Sequence, residues 1–445
     1  AADRLRRLLL RSDLTPRHEA RARLLAALIG SGDPKQRYHP WQELNALVGD
    51  SARMAVLPAA DRWFALGHSA STVEQAAAAL QKAVDADRNH RYARHSLAVV
   101  LAALGRVREA HQHAFFLVTL YPDSPTAGLI FGWTAVVEGA EDPLGQPEIA
   151  RLAPDARRIV EVGVHLARET RGLLDGVLAR EVLAREERDP GARLTKDLGT
   201  VVGPMLKLLA LFTSLGRKRS EPLAPLRLPR ALLLVFGDLP TMIGAALAGP
   251  DALLARLDTS IARLPDGALY LVRAWVRMDA LPPALRRGTV EPAAYRALCA
   301  DLQQACSAPS MLGLQRAVRL RAASFHLELL RRNGQLAAAG VATIDHRTAA
   351  YRCLADLAQS RDLDTLAWVQ RRMITLDYLD EAQAMVPRIR AVLLASGRGA
   401  DAALPLAEAR AARAKGDRAA LQRALERAKK TADALQRIEI DALGK

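Results

Sequence analysis

The sequence predicts an all-α protein built as a helical-hairpin solenoid. Three observations carry that prediction. Ala, Leu and Arg dominate the chain, and all three are strong helix formers. No sustained alternation of Val, Ile, Thr and aromatics marks a strand, and aromatics make up only 4% of the residues. After residue 57, amphipathic runs of about a dozen residues follow one another, joined by Gly, Asn, Asp or Pro, as stacked helix pairs require. With 445 residues, half of them hydrophobic, the chain can bury a large core and is too apolar to be disordered.

The elements follow in order. Residues 4–30 read as an amphipathic helix or two, with Leu5, Leu8 and Leu9 at helical spacing. "SDLTPRHEA" sets Thr15 as N-cap, Pro16 at the first helical position and Glu19 in the first turn. "GDPKQRYHP" is a loop. Then come "DRWFALG", "STVEQAAAALQKAVDADRNH", "RYARHSLAVVLAALG", "RVREAHQHAFFLVTLYPDSP" and "TAGLIFGWTAVVEG". Ser71-Thr72 supplies a turn and an N-cap, and Gly105 the backbone freedom of a tight turn.

These residues resemble the tetratricopeptide (TPR) repeat family over about 60–138. Leu97-Ala98 stand where that family has a large residue followed by a small one. Leu101 fills the next large position, Gly105 the turn, Glu109-Ala110 the common pair of the second helix, and Pro122 the stop. Trp63-x-x-Leu66-Gly67 is similar to the family's opening signature, "ALQKAVDADRN" to its second helix with Arg88 in place of proline, and Phe131-Gly132 to the start of a third unit. The physics agrees: Ala98 and Ala110 let helices approach, while Leu97, Leu101 and Leu117 fill the space between hairpins. The resemblance implies a concave groove lined by first helices, with Tyr92, His95, Val99 and Ala102 in one unit and Trp133 in the next, and a protein or peptide ligand without a cofactor.

Beyond 138 the spacing departs. "EGAEDPLGQPEIARLAP" is a Pro/Gly loop, and 155–190 reads as a charged helix pair. Two apolar runs, "TVVGPMLKLLALFTSLG" and "ALLLVFGDLPTMIGAALAG", flank a basic link. Lys207, Pro204, Asp238 and Pro240 interrupt them, so they read as core helices, with membrane contact or spanning as alternatives. Hairpins return after about 290, with turns at Asn333-Gly334, at an Asp before Glu381-Ala382, and at Lys415-Gly416-Asp417. The last segment is polar enough to cap an array. The expected organisation is 1–56 N-terminal helices, 57–138 repeats, 139–290 an irregular middle, and 291–445 degenerate hairpins with a capping helix.

Catalytic signatures are missing from the sequence. "GHSAS" at 67–71 lacks the second Gly and the preceding strand of a nucleophile elbow, so Ser69 belongs to a turn. No phosphate-binding loop, dinucleotide fingerprint or zinc-protease motif is present. Acid pairs such as Glu186-Glu187 fit solvated helix faces. His90, His95, His111 and His113 cluster in sequence, but His111 and His113 diverge by about 200° on a helix, so they read as groove or surface polar residues, with metal binding as the alternative. Cys299, Cys306 and Cys353 are odd in number and cannot complete a disulfide framework. Cys299 and Cys306 share one helix face and read as buried small side chains, the alternative being a soft-metal or redox pair.

The net charge is +15, with Arg spread along the chain. The densest patch is Arg217, Lys218 and Arg219 with Arg227 and Arg230, suited to phosphate groups but without aromatics for base stacking. The leading expectation is a non-catalytic, cytoplasmic protein-interaction scaffold with no cofactor or metal. The alternatives are a nucleic-acid-binding α-solenoid, or the regulatory arm of an enzyme whose catalytic domain lies upstream of Ala1. The Ala/Arg-rich composition suits a high-GC bacterium.

Overall fold

A computed structural model describes residues 8–11, 13–28, 40–122, 125–138, 143–175, 229–231, 241–242, 244–246, 248–310, 314–397 and 401–444. The described secondary structure is helical, without strands. The chain divides into two compact units. The first comprises Ala1–Leu174, Thr195–Val276 and Ala308–Leu314; the second comprises Asp175–Leu194, Arg277–Ser307 and Gln315–Lys445.

In the first unit the helices are α1 (Pro16–Leu28), α2 (Pro40–Gly49), α3 (Ser51–Val56), α4 (Ala59–Ser69), α5 (Val73–Ala86), α6 (Arg91–Ala103), α7 (Val107–Leu120), α8 (Pro125–Glu138), α9 (Pro147–Ala150), α10 (Pro154–Asp175) and α11 (Pro250–Arg263). Each of α4 to α8 packs on its sequence neighbour, and α6 also touches α8. Serial short-range packing of this kind is a solenoid of hairpins. The N-terminal helices are continuous with it, since α2 packs on α4.

Local chemistry sets the boundaries. Thr15 Oγ1 accepts from the His18 N–H at the start of α1, and Thr72 Oγ1 from the Gln75 N–H at the start of α5. Gly105 takes φ +71° between α6 and α7, the left-handed geometry that ends a helix most easily with glycine. Leu97, Leu101 and Ala110 are buried in a cluster running from Leu24 of α1 through α4, α5 and α6. Leu117 belongs to the next cluster, with Phe131 of α8 and Val160 of α10. Thus α7 serves two successive core layers, as the repeat pattern requires. Residues from later in the chain join the first layer: Ala231 and Leu264 lie in the same cluster.

The 155–190 segment begins as one long helix, α10; the rest of it, with Glu186-Glu187, lies outside the described residues. So do the first apolar run and much of the second. Among the described residues no helix is long and apolar enough to cross a membrane.

The second unit holds α13 (Pro292–Ser307), α14 (Gln315–Arg331), α15 (Asn333–Ala338), α16 (His346–Leu357), α17 (Leu363–Thr375), α18 (Leu379–Ala395), α19 (Ala403–Ala414), α20 (Arg418–Lys429) and α21 (Ala434–Gly444); the division between units falls inside the preceding helix, α12 (Gly267–Arg287). Its hairpins pair α14 with α16, α17 with α18 and α19 with α20. The turn expected at Asn333-Gly334 is instead the start of α15, and the left-handed glycine falls at Gly340, φ +74°. Gly334 is helical because nothing there demands a positive φ. The other two turns are where the sequence puts them. Asp377 has φ +60°; Gly416 has φ +74°, and Asp417 caps α20 through the Ala420 N–H. The last helix, α21, closes the final core layer with Ile440. Buried Arg410 of α19 binds both carboxylate oxygens of Glu439 at 2.5 and 3.0 Å and Gln370 Oε1 at 3.1 Å. Burial pulls the Glu439 carboxyl upward, but the hydrogen bonds and charge of Arg410, with the charge of Arg371, outweigh it and hold the group below its ordinary value.

Candidate functional site

The expected groove residues lie on α6 and α8. Tyr92, Val99 and Ala102 follow each other along one side of α6, half-buried and packed against the first core cluster. Trp133 is half-buried on α8 against the second cluster. The α6–α8 contact brings the two helices together.

His95 departs from expectation. It is 7% exposed, and among the described residues neither ring nitrogen has a hydrogen-bond partner. A groove polar residue would show its nitrogens to solvent; these are sealed. Burial, with a smaller push from Arg91, lowers its pKa to about 4, so the ring is neutral at pH 7. Beside it, His68 Nε2 lies 2.8 Å from Ser96 Oγ, joining α4 to α6. Burial, then the neighbouring His95, lowers His68 to about 3.

The rest of the histidine cluster is dispersed over separate partners. His90 caps α6, its Nδ1 accepting the Ala93 N–H, while Nε2 lies 2.9 Å from Asp61 Oδ1 on α4. The Phe64 ring contacts both His68 and His90, with centroids 4.6 and 5.1 Å away. His111 Nδ1 meets Thr134 Oγ1 at 3.0 Å, and His113 Nδ1 meets Arg94 Nη1 at 3.1 Å. The imidazoles therefore tie adjacent helices together. Among the described residues no three His, Cys, Asp or Glu side chains gather to hold a metal ion. Sequence clustering showed that histidines were concentrated here; it missed Asp61 and Ser96, whose relation to them is purely spatial.

A second polar chain, unforeseen from sequence, lies in the other unit. Tyr295 Oη of α13 is 2.6 Å from His346 Nε2 on α16, and His346 Nδ1 is 3.1 Å from His326 Nδ1 on α14. With neutral rings the two bonds are coupled: His346 carries its proton on one nitrogen and accepts on the other, so it donates to one of Tyr295 and His326 and accepts from the other. Burial brings His326 to about 3 and His346 to about 4, and raises the Tyr295 hydroxyl.

The cysteine reading is also corrected. Cys306 is bonded to Cys353, with Cα atoms 5.7 Å apart, while Cys299 is a buried free thiol. The Cys299–Cys306 pair cannot form, because two helical turns separate them by about 10 Å. The small-side-chain reading holds for Cys299, and fails for Cys306 because helix packing brings α16 to its face.

Of the basic patch, Arg217, Lys218, Arg219 and Arg227 lie outside the described residues; Arg230 is half-buried beside buried Ala231. Many described arginines are ion-paired, among them Arg106 with Glu109, Arg277 with Asp301, and Arg316 with Asp362.

No protein-family model matches the sequence, and no curated protein matches it.

Proposed function

We propose that the chain is a non-catalytic protein-interaction scaffold of TPR type, binding a peptide or protein segment along the first helices of its hairpins. The observation that supports this most is the meeting of α6 and α8 with Tyr92, Val99, Ala102 and Trp133 at intermediate exposure. These side chains are neither sealed in the core nor fully in water. A segment laid over them gains about 25 cal/mol for each Å² of apolar surface it covers. Tyr and Trp are also the residue types that dominate binding hot spots. The cytoplasmic setting and the absence of a cofactor belong to the same reading.

The test is affinity capture from native lysate, with and without nuclease, comparing the wild-type chain with Y92A/W133A. A discrete protein that survives nuclease and is lost with Y92A/W133A is the expected result. Retention of that protein by Y92A/W133A would remove the strip from the binding surface. Loss of all bound material on nuclease treatment would shift the reading to a nucleic-acid partner drawn by the +15 charge.

A further inference from the structure

The second unit contains a thiol–disulfide pair in a position to control how firmly one helix is held. Cys306 stands near the C-terminal end of α13 and Cys353 on α16, 47 residues apart in sequence. Helix α13 packs on α14, and α14 packs extensively on α16. Direct contact between α13 and α16 is sparse, and the disulfide is their direct covalent tie at that end. At the other end the tie is the Tyr295–His346 bond, and beside the disulfide Arg319 Nε of α14 donates to the Cys306 carbonyl at 3.2 Å while its guanidinium pairs with Asp356 of α16.

The three cysteines have unequal exposure. Cys353 is 1% exposed, Cys306 is half-buried, and Cys299 lies in the core beside Tyr295. Burial pushes the Cys299 thiol up to about 11, Tyr295 pulling the other way, so it is protonated at pH 7 and a poor nucleophile. Two helical turns, about 10 Å, also separate it from Cys306, too far for it to resolve the bond.

We propose that Cys306–Cys353 is a reversible thiol–disulfide exchange site, opened by a dithiol reductant and closed by a disulfide oxidant, and that its state sets how tightly α13 is held to α16. In the opening step a thiolate of the dithiol attacks Sγ of Cys306, the more exposed of the two bonded residues. The Cys306–Cys353 bond breaks, and Cys353 leaves as a thiolate that takes a proton from water. The second thiol of the dithiol then attacks the mixed disulfide and releases Cys306. Two electrons pass to the cysteine pair, and the reductant becomes a cyclic disulfide. Closure is the reverse, with oxidised glutathione as the two-electron acceptor.

The experiment uses the full chain equilibrated with oxidised glutathione, then half of it treated with dithiothreitol. Alkylation under denaturing conditions followed by peptide mass analysis counts the free thiols. The expected result is Cys299 alone modified before dithiothreitol, and all three cysteines after. Hydrogen exchange on the folded protein should then show the 292–307 peptide exchanging at least about tenfold faster in the reduced form, because opening no longer works against the cross-link. The C299S chain should show the same difference. Because the reduced wild-type chain is itself the test state, the main comparison does not depend on any variant folding. Three free thiols after oxidised glutathione, a glutathione adduct on Cys306 with Cys353 free, or exchange over 292–307 unchanged by reduction would each overturn the proposal.

Discussion

Helices α8 and α10 cross through two glycines, and replacing either with alanine tests that crossing directly. A Cβ on Gly132 would lie 2.8 Å from the Val164 nitrogen and nearer still to the Val160 carbonyl oxygen. One on Gly163 would lie 3.1 Å from Cα and the carbonyl carbon of Leu129 and nearer still to its oxygen. The obstacles are backbone atoms of the facing helix, so no side-chain rotation relieves them. The helices must separate, and doing so loosens the cluster of Phe131, Val160 and Val164. Overpacking of this kind costs about 1–3 kcal/mol or more. The better helix propensity of alanine returns about 1 kcal/mol. Because backbone atoms cannot rotate away, the clash falls at the upper end of that range, and the net expectation for G132A and for G163A is a loss of about 2 kcal/mol. G132A/G163A should lose less than the sum, because helices already parted by one methyl accommodate the second more cheaply. Gly334 is the control: it is helical, has no positive φ, and a Cβ there meets nothing within 4 Å. G334A should gain about 0.5–1 kcal/mol. Urea denaturation followed by circular dichroism reads all four. Neutral or stabilising behaviour of G132A and G163A, with G334A behaving as expected, would refute the close crossing.

Other expectations follow from the buried polar groups. Stability should fall as pH drops from about 6.5 toward 4, because His68, His95, His326 and His346 stay neutral when folded but protonate when unfolded. The unfolded chain binds more protons throughout that window, which gives a slope of about 1.4 kcal/mol per pH unit for each imidazole. These groups add no slope above about 6.5, and their loss is complete below the folded values of about 3–4. Urea midpoints at pH 5 and 7 for wild type and H95F check this; an unchanged slope in H95F would show that His95 is not among the titrating groups. R410M should loosen α21 and cost about 3 kcal/mol, since it removes both hydrogen bonds to the half-buried Glu439, leaving it the longer Arg371 contact at 3.7 Å, and strips the Gln370 carbonyl of its Arg410 donor; exchange in the C-terminal helix gives the readout. Reducing Cys306–Cys353 should lower the stability of the second unit by about 4 kcal/mol, from the chain entropy of a loop of this length. A melting temperature unchanged by dithiothreitol would contradict that figure.

The all-α class and the hairpins were legible in the sequence because they rest on local physics. Helix propensity, the 3.6-residue apolar period, the Thr15, Thr72 and Asp417 caps and the left-handed Gly105 and Gly416 each act within a few residues, so the chain displays them in order. The same holds for the small Ala98 and Ala110 and the large Leu97, Leu101 and Leu117. Gly132 was visible as a family-like position, but the reason it must be glycine is Val160 on another helix. His95 was placed by its phase on α6, and phase cannot say whether neighbouring chain closes over a side chain. Spacing puts Cys299 and Cys306 on one helix face as small buried side chains, whereas Cys306 is bonded to Cys353, 47 residues on. Asp61 with His90, Ser96 with His68, and Tyr295 with His346 and His326 are likewise contacts between helices. The sequence by itself determined which segments are helices and, the Asn333-Gly334 turn apart, where the hairpins turn, since those choices are settled by near neighbours. Only the tertiary structure decided which face of each helix is covered and which polar groups meet, because those depend on crossings between helices that no periodicity encodes.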